Sequence, residues 1–197
     1  MKNKIADTKP RCGWGLGNPL MLRYHDEEWG VPVYDDKKQF EFLILESAQA
    51  GLSWSCILNK RENYRKAFAK FDAKKVAKFG AGDVKRLLND AGIVRNRLKI
   101  EAAINNAKRF LEIQKEFGSF SNYVRPFTEK LKPARRKSLK ELPAVTPESE
   151  ALSIDMKKRG FKFLGATVLY SHMQAVGMVN DHLVSCYRHK EVFRLRR

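Results

Sequence analysis

RLKIEAAINNAKRFLEIQK, residues 97 to 115, carries the clearest periodicity in the chain. Ile100, Ala103, Ile104, Ala107, Phe110 and Leu111 recur at steps of three and four, which puts them on one face of a helix. Charged residues fill the opposite face, and Gly118 stands where such a helix would close. The same period returns on both sides. Asp36, followed three residues later by Gln39, has the form of a capping box opening a helix through about Ala50, with Phe40, Leu43, Ile44 and Ser47 inward. Glu62 to Ala69 predicts a second helix. A shorter one starts near Asp83, carries Val84, Leu87 and Leu88, and stops at Gly92. Thr146-Pro147-Glu148 supplies an N-cap, a proline at the first helical position and an acid in the first turn. That helix ends in Lys157-Lys158-Arg159 before Gly160. No stretch alternates with the period of two that a strand requires. The expectation is an all-α fold, interrupted between Pro126 and Pro147 by a proline-rich, basic, exposed connector.

Composition narrows the function. The 197 residues suit one domain or two small lobes, and the 39 Lys and Arg against 22 Asp and Glu give a formal charge of +17. The charge is spread along the chain, at Lys60-Arg61, Arg95, Arg97, Lys99, Arg135-Arg136-Lys137 and Lys157-Lys158-Arg159. A polyanion is the expected partner, and nucleic acid is the commonest one. No basic helix carries the broad apolar stripe that a membrane surface would require. The three cysteines are an odd number, which argues against a disulfide framework. With no apolar leader and no span of membrane-crossing length, the expected location is the cytoplasm.

Three groups of residues carry chemistry. Cys12 and His25 flank a turn-rich stretch near one end, and His182 and Cys186 lie one helical turn apart near the other. Two sulfurs and two ring nitrogens would close a tetrahedral zinc site with no open position, a structural ion joining the two ends. The alternative is two solvent histidines, one buried cysteine and one incidental one. Second, Arg159-Gly160-Phe-Lys162-Phe-Leu-Gly165 is a glycine-bounded turn between two helices, the second running from about Ala166 to Val176. Backbone N–H groups at the start of that second helix would receive a DNA phosphate, helped by Arg159 and Lys162; an ordinary capped turn is the bland reading. Third, Glu46 sits between Phe42 and Ala50 in apolar surroundings. A buried carboxylate pairs, protonates or waits for a cationic ligand. Trp14, Tyr24, Trp29 and Trp54 are close in sequence and would form a stacking slot for a flat, positively charged ring.

Taken together, Cys12-Gly-Trp14, Tyr24-His25-Asp26-Glu27-Glu28-Trp29-Gly30, Leu45-Glu46, Gln49-Ala-Gly51-Leu-Ser-Trp54, Lys60-Arg61-Glu62-Asn63-Tyr64, Ala91-Gly92-Ile93, Lys157 to Phe163 and Val179-Asn180-Asp181-His182 resemble the DNA-3-methyladenine glycosylase I family. The resemblance runs from residue 12 to residue 186. It implies a helix–hairpin–helix glycosylase fold occupying 12–187, with two helical lobes and an active-site cleft between them. It also implies a structural Zn2+ on Cys12, His25, His182 and Cys186. The implied activity is hydrolytic, monofunctional release of 3-methyladenine from double-stranded DNA by a monomer, after the nucleotide is flipped out. Glu46 is then the carboxylate that meets the base, within a pocket of Trp14, Met21, Tyr24, Trp29 and Trp54. Gln49, Gly51 and Leu52 fill the gap left by the flipped nucleotide. Asp181 lies where the wider superfamily often carries a catalytic aspartate, with support of His182 as its other reading.

Met21 replaces a frequent aromatic, and Ser47 and Leu98 replace frequent glycines. Residues 1–11 and the basic 188–197 fall outside the resemblance and are expected to be tails. Two rival classes are a catalytically silent DNA-binding module and a basic RNA-binding protein. A bifunctional lyase would need an amine nucleophile beside the pocket, and Lys162 is better explained by phosphate.

Overall fold

The computed structural model describes residues 8–129, 131 and 134–195, and no strand occurs among them. The chain runs through α1 (Pro19–Glu27), α2 (Asp36–Gln49), α3 (Trp54–Ala67), α4 (Ala73–Val76), α5 (Ala81–Asn89), α6 (Arg97–Phe117), α7 (Phe120–Thr128), α8 (Pro147–Lys158), α9 (Ala166–Ala175) and α10 (Tyr187–Leu195). Helix α2 is the centre. Every residue from Gln39 to Ala48 is buried, the polar Gln39, Glu41, Glu46 and Ser47 included, so the helix is enclosed on all sides. On one side it meets the large core, where the Phe110 ring packs 5.1 Å from Phe40 and stacks 4.8 Å from Phe120. On the other, Phe42 joins a smaller cluster with Cys12, Tyr24, Trp29, Leu58 and Cys186. Glu46, one turn beyond Phe42, lies on the helix face that Phe42 turns toward this aromatic cluster.

Several boundaries differ from expectation, each for a local reason. The N-cap of α2 is Asp35, whose carboxylate accepts from Lys38 N at 2.8 Å. Asp36 instead accepts from Gln114 Nε2 at 2.7 Å and Phe120 N at 3.0 Å, tying α2 to α6 and α7. Helix α3 begins at Trp54, not Glu62, because Ser53 caps it by accepting from Cys56 N at 3.2 Å. Helix α5 stops at Asn89, before Gly92; that glycine is needed because a Cβ there would lie 2.9 Å from the Asn63 side chain. Helix α6 runs on to Phe117, and Gly118 closes it at φ 80°. The expected connector begins in helix, since α7 passes through Pro126, and includes a short 3-10 turn at Leu139–Glu141.

The C-terminal segment expected as a tail is helical over its described residues, and residues 8–11 of the N-terminal one pack beside it. Arg188 to Leu195 belong to α10, with Val192 buried, and Tyr187 N donates to Pro10 O at 3.0 Å. Residues 1–7 and 196–197 lie outside the described residues. A buried ion network holds α1, α2 and α3 together. The Arg61 guanidinium donates to both oxygens of Glu28 at 2.7 and 2.8 Å and to Glu41 at 2.7 Å. Burial alone would raise the Glu28 carboxyl, but Arg61 holds it down to about 2.

Candidate functional site

Cys12, His25, His182 and Cys186 are all buried, and their ligand atoms lie within 4.8 Å of one another. Cys186 Sγ lies 3.5 Å from His25 Nε2 and 3.6 Å from His182 Nδ1, and Cys12 Sγ lies 3.8 Å from the same Nδ1. Sulfur and nitrogen ligands on one tetrahedral zinc would stand about 3.6 Å apart, from metal bond lengths of about 2.3 and 2.05 Å. The outward ring nitrogens are each held by an oxygen. His182 Nε2 pairs with Trp29 O at 2.9 Å and His25 Nδ1 with Asp26 Oδ1 at 2.8 Å, while Arg11 in turn clamps Asp26 at 2.8 to 3.0 Å. Such bonds select the tautomer whose free lone pair faces the centre, the arrangement a metal-bound histidine takes. Gly15 lets the chain close over the site, because a Cβ there would meet the His25 side chain at 2.9 Å. Between the sulfurs, the Cys12 hydrogen bond pulls the Cys186 thiol down, while the same pairing and burial push Cys12 up. The four side chains could thus hold a metal ion joining the N- and C-terminal segments.

The second arrangement lies beside the first. Glu46 is 4% exposed, and no donor among the described residues reaches its carboxylate. Burial pushes its carboxyl up to about 8. Tyr24, from α1, is also buried, and its phenol is pushed well above the usual value by burial and then by the Glu46 charge. The Tyr24 ring packs 5.2 Å from Trp54 and 6.2 Å from Trp14. Trp54, the first residue of α3, keeps a buried Nε1 with no partner among the described residues. An orphaned carboxylate and an orphaned indole donor around aromatic faces suit a flat ligand that offers a donor and an acceptor. The remaining aromatic falls elsewhere. Trp29 packs edge-on at 4.6 Å against His182 and 4.8 Å against Trp14, so it bridges the aromatic slot to the Cys–His cluster. Met21 is half-buried against the same cluster.

The turn between α2 and α3 presents Gln49, Gly51 and Leu52 at the surface, with Leu52 42% exposed and Gly51 at φ 78°. A residue without a sequence signal fixes this turn. Lys99 Nζ donates to Ala48 O at 2.8 Å and Ala50 O at 2.6 Å, closing the C-terminus of α2 with a cation. The hairpin between α8 and α9 has a similar hidden support. Asn106 accepts from Lys162 N and donates to Lys162 O, both at 2.8 Å, and Asn105 donates to Gly160 O at 2.8 Å. Lys162 and Gly165 remain exposed, and Gly160 takes φ 84°. Arg159 is engaged within the protein by Glu116 and Asp155, and it lies over the Phe117 and Tyr123 rings.

Asp181 is 1% exposed and fully engaged. Tyr170 donates to it at 2.5 Å, Gln174 at 2.9 Å and Arg136 at 3.5 Å. Its partners therefore lie on α9 and the connector, and His182 is not among them.

The sequence profile of a family described as methyladenine glycosylase matches residues 14–189. DNA-3-methyladenine glycosylase 1 of Escherichia coli (strain K12) is 50% identical over 177 residues, 89% of this chain and 95% of that protein. DNA-3-methyladenine glycosylase of Haemophilus influenzae is 44% identical over 178 residues, 89% and 96% of the two chains. A crystal structure of 3-methyladenine DNA glycosylase I (TAG) superposes with a TM-score of 0.87 at 47% identity, covering 90% of this chain and 98% of its own. TAG from Staphylococcus aureus, in a structure on recognition of 3-methyladenine, gives 0.86 at 40% identity, covering 90% and 95%.

Proposed function

The chain belongs to the methyladenine glycosylase family, and from that premise we propose how its residues divide the work of removing 3-methyladenine from DNA. The enzyme is a base-excision repair glycosylase that hydrolyses the N-glycosyl bond of the alkylated nucleotide. Methylation at N3 makes the base a cation, so its bond to the sugar is already weakened. The C1′–N9 bond breaks with its electron pair passing to the base, which leaves as neutral 3-methyladenine. Water adds at the oxocarbenium carbon and a proton is released. Little acid catalysis is needed, and the protein's part is to extrude, hold and discriminate.

The observation that carries the reading is Glu46, a buried carboxylate with no donor, beside Tyr24 and Trp54. We assign it to accept from the exocyclic amine of the base, with its negative charge favouring the cation over neutral adenine. Tyr24, Trp54 and Trp14 supply the stacking faces, with Met21 and Trp29 behind them. Leu52, exposed on the turn after α2, takes the place of the flipped nucleotide, flanked by Gln49 and Gly51. The hairpin from Gly160 to Gly165, with Lys162, receives the phosphate backbone, and Arg159 braces its base. Asp181, with both oxygens engaged, we assign to holding α9 against the connector. The substrate is taken to be duplex DNA, because a wedge on the turn is useful only where stacking is lost. One chain suffices, since α1, α2 and α3 of a single chain build the slot. Zinc is the ion that the two sulfurs and two nitrogens suit, a closed structural site that contributes folding energy and no chemistry.

The deciding experiment is chromatography of the bases released from duplex DNA treated with a methylating agent. The expected product is 3-methyladenine with little 7-methylguanine and no strand cleavage. Intact DNA binding with no base released would replace this reading with a silent binding module.

A further inference from the structure

Every exposed residue between 66 and 78 is a lysine: Lys66, Lys70, Lys74, Lys75 and Lys78. The residues between them face inward or are half-buried, with Phe68, Phe71 and Val76 at 1% exposure or less. None of these lysines forms an ion pair among the described residues, whereas Arg11, Arg61, Arg86, Arg136 and Arg159 do. The one acid of the segment, Asp72, is committed to capping α4, accepting from Lys75 N at 3.2 Å. The backbone holds the display in place. Ala69, Lys70 and Phe71 all take left-handed φ values of 50, 56 and 57°, an arrangement L-residues avoid, and the buried Phe68 and Phe71 rings pin it at both ends.

This surface lies away from the base slot. Helix α3 starts at Trp54 in the slot and ends at Ala67 beside the lysines, a length of about 20 Å at 1.5 Å per residue. Helix α2 agrees, because Lys74 and Phe71 share a shallow cleft with Asp36, Lys37 and Phe40 at its start, the end remote from Glu46. We propose that the Lys66–Lys78 surface is a second DNA-binding surface, which holds a lesion-free duplex segment while the slot end engages another. Duplex DNA fits because it presents a phosphate charge about every 1.7 Å and asks only for compact cations. A bilayer would ask for exposed apolar side chains, and here they point inward. The placement rests on the reading of the slot end as the face that meets the lesion.

Two surfaces allow direct transfer between DNA segments, which gives the test. The full chain is bound to a labelled lesion-free duplex and chased with unlabelled duplex. The expected result is a dissociation rate that climbs several-fold as the chase concentration is raised. In K70Q/K74Q/K75Q/K78Q the rate becomes independent of the chase, and the salt slope of binding falls by about 3 to 4. All four positions are exposed, so the melting temperature holds, and single-turnover release of 3-methyladenine from a short duplex stays within about twofold. A flat rate in the wild-type chain, or a dependence that survives in the variant, overturns the proposal. So does loss of single-turnover release in the variant, since the lysines would then belong to the lesion face. Displacement by anionic vesicles but not by duplex would make the surface a lipid site and overturn it equally. A chain that transfers normally but releases no base removes the slot reading and leaves this surface standing.

Discussion

Cys12 Sγ and His182 Nδ1 lie 3.8 Å apart although 170 residues separate them in the chain. An ion at that point closes nearly the whole protein into one loop. Closing a loop of this length removes roughly 5 kcal/mol of unfolded-chain entropy on the loop-closure argument, an upper bound for any cross-link here. Cys186→Ser, or a strong chelator, should therefore lower the melting temperature and the metal content together, while released-base selectivity of the protein that remains folded is kept. Unchanged melting with a full complement of metal in the variant would remove the staple.

Glu46 sets a pH dependence whose sign follows from its shift. Its carboxyl rises from the usual 4.5 to about 8 through burial. A group raised on folding contributes stability that is complete below the unfolded value and is lost as pH climbs through the folded one. Wild type should lose a few kcal/mol relative to Glu46→Gln between pH 4.5 and about 8, read by denaturant titration across that window. Binding runs the other way. The ionised form is the receptor for the cation, so kcat/KM should rise towards pH 8 in wild type and flatten in Glu46→Gln. The variant should also lose roughly 10- to 100-fold in preference for 3-methyladenine, the worth of a charged hydrogen bond. Equal selectivity in the two proteins would end the proposed role.

Lys99 acts through the turn that it holds. Lys99→Met should leave the carbonyls of Ala48 and Ala50 without their cation and loosen Leu52, lowering kcat/KM on duplex DNA by about tenfold. Affinity for free 3-methyladenine, followed by tryptophan fluorescence, should not move, and Lys99→Arg should restore part of the loss. If free-base affinity falls in parallel, the lysine is supporting the slot itself.

Asp181 separates structure from chemistry. Asp181→Asn leaves Arg136 facing a neutral group and weakens the bonds from Tyr170 and Gln174, a cost of about 2–4 kcal/mol in stability. Single-turnover release at a temperature where the variant is folded should stay within about tenfold of wild type, as expected of a brace. A loss of a thousandfold or more there, with folding intact, would return the residue to catalysis.

The legible parts of the protein are those written in local pattern. The α6 stripe from Ile100 to Phe110, the Thr146 cap and Gly118 all state their roles within a few residues. The start of α3 is hidden in the sequence because Arg61 reads as a surface residue, yet it is buried by Glu28, just past the end of α1, and Glu41 on α2. The ligand residue types Cys12, His25, His182 and Cys186 were visible at a distance, whereas the oxygens that orient the two imidazoles were not, one being the Trp29 carbonyl. Arg159 looked free for phosphate because its partner Glu116 stands on α6 and only the folded chain brings it near. Asn106 gave one faint sign, a polar residue on the inward side of the clearest helix, and its purpose appears only when Lys162 arrives beside it.

The backbone bond from Tyr187 to Pro10 and the Cys–His cluster lie next to each other, so the segments entering and leaving the domain sit side by side. Tension applied to both ends would pass through α10 on the C-terminal side and meet this fastening before it reached α1 to α9. The fold should therefore resist pulling or threading into an unfolding machine until the clasp gives way, and then yield in one step. Its mechanical strength would be set by metal supply rather than by the size of its core.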